Sequence, residues 1–131
     1  MSREVVILSN DQAALMGLTV AFRGTPYEIT AVEPVRAMPT ATRLARRHPT
    51  AMVVSLDGRE NLAEIRALLS ASPLTRFLFL VPRMPPSAAL SRVVNASGGS
   101  ILAAAEAPIV VVATLVALLA RDGSSEHGGV A

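Results

Sequence analysis

Cysteine and tryptophan are absent from this sequence. Without thiols there is no disulfide framework, no thiolate nucleophile and no cysteine metal site. Lysine is absent too, so all twelve basic residues are arginine. That excludes lysine chemistry, including Schiff bases and phosphate loops of the Gly-Lys-Ser/Thr type. Aromatic residues amount to three Phe and one Tyr. The small basic cluster Arg43, Arg46 and Arg47 therefore has no interleaved rings for stacking on bases. It reads as a solvated helix face, and no direct nucleic-acid contact is expected. The formal net charge is only +2, which gives no general pull towards polyanions. The first apolar run, Val5 to Leu8, is too short for a secretory signal, and a cytoplasmic location is expected. No Gly-x-Gly-x-x-Gly, no phosphate loop and no usefully spaced carboxylate pair is present. His48 and His127 lack a Ser or Cys partner in a catalytic arrangement, so no enzymatic role, cofactor or metal is expected.

One stretch is long and nearly uncharged. From Ile101 to Ala120 only Glu106 carries charge, a length that spans a bilayer if helical throughout. Pro108 and the Ala103–Ala107 segment divide it into a short strand and a helix, and no membrane span is expected.

What is present is periodic. Of the 131 residues, 51% are hydrophobic and 17% charged, enough for one domain with its own core. Short apolar runs recur at Val5–Leu8, Ile29–Val32, Ala51–Val54, Phe77–Val81 and Ser100–Ala103. Unbroken aliphatic runs of this length fit strands covered on both faces, as in a parallel sheet. The second run is weaker and fits an edge. Helical stripes lie between the runs. They cover Asp11 to Arg23, Pro39 to Arg47, Asn61 to Leu69, Pro86 to Ala96 and Pro108 to Ala120. Asn10 or Asp11 caps the first, and Pro86 falls at a helix-start position in the fourth. Strands alternating with helices predict a doubly wound, flavodoxin-like α/β fold with five parallel strands in order 2-1-3-4-5. The domain is expected over 1–121. The Gly- and Ser-rich residues 122–131 are expected to form a flexible tail or the start of a linker.

In such folds chemistry sits at the carboxyl ends of the strands. Those ends carry Ser9-Asn10-Asp11, Ser55-Leu56-Asp57, Val81-Pro82 and Ala104-Ala105. Here the sequence resembles the receiver domain of two-component response regulators. Val5 to Asp11 is similar to the hydrophobic strand that ends in an acidic pair. Pro49 to Leu56 resembles the Pro-Asp, apolar run, Asp-Leu segment. Val94 to Leu102 resembles the Glu-Ala-Gly-Ala-Asp-Gly-Tyr-Leu segment before strand five. The resemblance covers about residues 4–121.

The departures from that pattern carry the functional argument. The resemblance places the acidic, magnesium-binding pair at Ser9 and Asn10 and the phosphoacceptor aspartate at Ser55. It places the switch Ser/Thr after strand four at Val81 and the lysine after strand five at Ala104. Magnesium wants hard oxygen donors with carboxylate charge, and phosphoryl transfer wants that charge held in place. Only Asp11 and Asp57 bring carboxylates near. Asp11 reads first as a helix cap and Asp57 as Asp-Gly turn chemistry. The expectation is a degenerate receiver, a regulatory module that works by protein contact, through dimerisation or control of an output domain such as a transcription regulator. The last helix is apolar all round, so its outer side reads as an interface. The resemblance points to the surface of helix four, strand five and helix five, with Leu90, Val94, Ile109, Val112, Val116 and Leu119 as candidates. Two alternatives stand beside this. One is an anti-sigma-antagonist-like domain phosphorylated on serine, though its Asp-Ser-Ser-Gly-type loop is absent. The other is an atypical receiver that still takes phosphate.

Overall fold

The structure, a computed structural model, describes residues 3–33 and 37–130, with side chains described for 3–33 and 38–121. Five strands form one parallel sheet: β1 Glu4–Leu8, β2 Glu28–Val32, β3 Ala51–Ser55, β4 Arg76–Val81 and β5 Ser100–Ala103. Their order is β2-β1-β3-β4-β5, the doubly wound order expected. Leu8 pairs with Val32 on one side and Val54 on the other, so the carboxyl ends of the central strands finish level. β1, β3 and β4 are almost wholly buried, whereas β2 is half-exposed, as an edge strand should be.

Five helices connect the strands: α1 Gln12–Ala21, α2 Ala37–Ala45, α3 Leu62–Ala71, α4 Ala88–Ala96 and α5 Pro108–Val130. Strand side chains alternate between two faces, which sorts the core in two. On one face, Val6, Leu8, Met52, Val54, Phe77 and Phe79 pack against α2, α3 and α4 through Ala41, Leu44, Ile65, Leu68 and Val94. On the other, Val5, Ile7, Val53, Leu78 and Leu80 pack against α1 and α5 through Leu15, Leu18, Phe22, Val111 and Leu115. Phe77 and Phe79, two residues apart on one strand, stack with ring centroids 5.9 Å apart.

Several boundaries differ from the expected ones, each for a local reason. α1 ends at Ala21 with Phe22 as its C-cap, before Gly24 turns the chain at φ 86°. α2 begins earlier than Pro39, which sits in the first turns where its missing N–H costs little. It ends at Ala45, and His48 beyond it takes φ 54°. α4 begins at Ala88, after Pro86, because Ser87 caps it by accepting the Leu90 N–H at 3.1 Å. α5 continues as helix past Ala120 to Val130. The side chains of residues 122–131, expected to form a tail, lie outside the described residues. Among the described residues no helix is long and apolar enough to cross a membrane.

Candidate functional site

Parallel register brings the carboxyl ends of β1, β3, β4 and β5 to one edge. Ser9, Asn10 and Asp11 follow β1, Ser55 ends β3, Val81 ends β4, and Ala104 follows β5. Ser55 pairs with Leu80 and Val81 with Ala103, and the Ala104 N–H donates to the Val81 carbonyl at 2.8 Å. The six residues named from the sequence thus share one edge of the sheet.

Two of them, Ser9 and Asp11, are engaged locally. Ser9 is buried, and its Oγ accepts the Asp11 N–H at 3.1 Å. Asp11 is the N-cap of α1: its Oδ1 accepts from Ala13 N–H at 3.0 Å and Ala14 N–H at 3.2 Å. Both donors are groups that the first helical turn leaves without an intrahelical partner. Asn10 is exposed, and Ser55 is half-buried. Val81 is packed into the core beside Phe79, so no hydroxyl stands at the end of β4. Ala104 is exposed and presents only a methyl group.

The loop after β3 is closed by its own acids. Asp57 Oδ1 accepts the Arg59 N–H at 2.8 Å. The Glu60 carboxylate accepts the Asp57 and Gly58 N–H groups, each at 3.1 Å. The chain then enters α3 through a capping box, in which Asn61 and Glu64 bind each other's backbone N–H at 2.9 and 3.1 Å. The Arg59 N–H is the main reason that the Asp57 carboxyl is held below its ordinary value of 3.8. Desolvation is the next largest effect and opposes the lowering, while the neighbouring Glu60 and the Arg59 charge add to it. Asp57 was legible as a turn residue, whereas Glu60 was not singled out. Its position three residues past Asp57, just before the cap Asn61, was the available signal.

Beside this edge an open cleft of about 660 Å³ lies between α3 and α4, lined by Leu56, Ile65, Val81, Pro82, Leu90 and the 57–61 loop among others. Of the six pocket positions, only Val81 lines it. Among the described residues, no group of three or more His, Cys, Asp or Glu is placed to hold a metal ion.

No protein-family model matches the sequence, and no curated protein matches it. Solved structures do match in three dimensions. One is the signal receiver domain of a Luxo repressor protein from Vibrio parahaemolyticus, with TM-score 0.74 and 13% identity, covering 96% of this chain and 96% of that one. The chain has the fold of a response-regulator receiver domain. A LuxR-family two-component response regulator from Aurantimonas shares this receiver fold at TM-score 0.68 and 18% identity, over 89% of this chain and 84% of that one. The pilus assembly protein CpaE from Caulobacter crescentus shares it at TM-score 0.68 and 13% identity, over 88% and 98%.

Within the receiver fold, the candidate interface residues divide. Val94 and Val112 are buried, at 0% and 5% exposure, in the two cores on opposite faces of the sheet. They face inward and are unavailable to a partner, which corrects their assignment to the outer surface. Leu90 and Leu119 are partly buried against those cores. Ile109 and Val116 are exposed, at 65% and 36%. Helix α4 packs on the face of the sheet opposite α5. Exposed apolar side chains concentrate instead on α1 and α5, where Met16 and Val20 join Ile109, Val110 and Val116.

Proposed function

We propose that this chain is a regulatory signalling module built on the receiver fold that acts by protein contact and without aspartate phosphorylation. The observation that carries the reading is the use of Asp11. It is the carboxylate nearest the acidic-pair positions, and its Oδ1 is taken by two helix N–H groups. Its neighbours contribute a hydroxyl already accepting a backbone N–H and a neutral amide. This donor set does not fit magnesium, which needs several hard oxygens with carboxylate charge. Ser55 stands at the acceptor position and Ala104 at the lysine position, so neither an acyl phosphate nor its positive partner has a side chain to form on.

The partner surface in this reading is the outer side of α5, joined by α1. No charged side chain occurs on α5 before Arg121. Apolar surface of this kind on a small domain marks a contact face. A second copy of the chain or an attached output domain would cover it, and such a contact would be held constitutively, since no phosphoryl group switches it. We take the domain as residues 1–121 and the module as non-catalytic and cytoplasmic.

The test is incubation with magnesium and acetyl phosphate, followed by intact mass and hydroxylamine treatment. No hydroxylamine-labile phosphoryl group is expected. A stoichiometric labile adduct would overturn the reading.

A further inference from the structure

The opposite pole of the sheet, at the amino ends of β3 and β4, carries a chain of polar contacts that the proposed function does not use. His48 follows α2 and is exposed. Ser72 and Thr75 lie in the turn between α3 and β4 and are buried, at 0% and 3% exposure. His48 Nδ1 lies 3.1 Å from Ser72 Oγ, Ser72 Oγ lies 2.5 Å from Thr75 Oγ1, and Thr75 Oγ1 lies 2.6 Å from the Pro49 carbonyl oxygen.

The hydrogens in this chain can be counted. A carbonyl only accepts, so the single hydroxyl hydrogen of Thr75 goes to Pro49. The contact between the two hydroxyls still needs a hydrogen between its oxygens, and only Ser72 can supply it. Ser72 has then spent its own hydrogen and can only accept from the ring, so His48 Nδ1 must carry one. The reverse arrangement would leave the buried oxygens of Ser72 and Thr75 facing each other with lone pairs alone, a costly state for buried polar groups.

We propose that Pro49, Thr75 and Ser72 form a directional latch that holds neutral His48 as the Nδ1–H tautomer, leaving its Nε2 as a bare acceptor on an exposed ring. Free imidazole side chains in water favour the other tautomer, so the fold inverts the ordinary preference. Which ring nitrogen is protonated is set by the bond the other end makes. His48 takes φ 54° in the turn that ends α2, where its N–H donates to the Ala45 carbonyl at 2.9 Å. Histidine is among the residues that tolerate this region, and here the conformation accompanies a ring that reaches the buried turn of another βα unit. The device joins the α2–β3 turn to the α3–β4 turn across residues far apart in sequence. It presents a hydrogen-bond acceptor at the pole opposite the strand carboxyl ends.

The experiment is a long-range proton–nitrogen correlation spectrum of the histidine rings in the uniformly labelled full chain, recorded where the rings are neutral. His48→Asn assigns the signals against His127. His48 is expected mainly as Nδ1–H with a pyridine-type Nε2. A His48 ring mainly in the Nε2–H form in the wild type would overturn the proposal. Two variants test the direction. Ser72→Ala removes the acceptor and should return His48 to a majority of Nε2–H. Thr75→Val does not touch the ring but frees the Ser72 hydrogen to turn towards Nδ1, and should also lose the Nδ1–H majority. An unchanged tautomer in either folded variant contradicts the latch.

Discussion

Gly99 lies against the Phe77 carbonyl so closely that a Cβ at residue 99 would stand 2.7 Å from that oxygen and 3.2 Å from a Val94 methyl. This contact seats the turn after α4 on β4 and so sets where β5 begins. Gly99→Ala must push backbone or the buried Val94 aside. A loss of about 1–3 kcal/mol is expected, the usual range for overpacking. Urea unfolding of the variant beside wild type measures it, and a difference near zero would show that the turn relaxes freely.

Asp11 offers a separable case. If its work is capping α1, Asp11→Ala should cost about 1 kcal/mol, whereas Asp11→Asn keeps an acceptor oxygen and should cost much less. Thermal unfolding of both variants decides. Equal losses would mean that the negative charge, not the acceptor oxygen, matters.

Asp57 gives a pH signature. Its carboxyl is held below the ordinary value of 3.8, first by the Arg59 N–H. A depressed carboxyl favours the folded state fully above its unfolded pKa. That contribution fades as pH falls through the lower, folded value. Side-chain carbon chemical shifts followed through acid titration should place the Asp57 midpoint under 3.8. A midpoint at or above it would mean that the bond from the Arg59 N–H to Asp57 does not persist in solution.

The outer side of α5 is tested by charge. Ile109→Glu combined with Val116→Glu alters exposed positions and should leave the fold intact, whereas Val112→Glu would place a carboxylate in the core. Sedimentation velocity is expected to show wild-type self-association that the double variant abolishes. A wild type that is monomeric at high micromolar concentration, with no attached domain shielding α5, removes the interface.

Strand order and helix alternation were legible because each apolar run carries its own period and the runs are separated by capping and turn residues. The phase of α5 was not. A helix with Val110, Val111, Val112, Leu115, Val116, Leu118 and Leu119 looks the same from every side in sequence, and only docking on the sheet selects Val111, Val112 and Leu115 as inward. Val94 was misplaced for a related reason: Leu90, Val93 and Val94 form one short apolar stripe on α4, and only docking on the sheet makes Val94 its fully buried member. The start of α4 was ambiguous because Pro86 and Ser87 are both helix-start residues and only the Ser87–Leu90 bond decides between them. At the pocket edge, the residue identities at Ser9, Ser55 and Ala104 were fully legible. The bond from Glu60 to the loop backbone was not. The His48–Ser72–Thr75 contacts join residues 24 or more positions from the ring or from Pro49, beyond any local pattern.

The sheet that sorts the core into two sides also acts as a septum between them. Leu68 and Leu115 are each fully buried, one on either side, and belong to separate clusters. Truncating either to Ala should cost about 2–5 kcal/mol. Because neither cavity borders the other, the two losses should sum to within about 0.5 kcal/mol in the double variant. The layer beneath α1 and α5 can therefore drift in sequence, and with it the outer surface those helices present, without disturbing the packing under α2, α3 and α4.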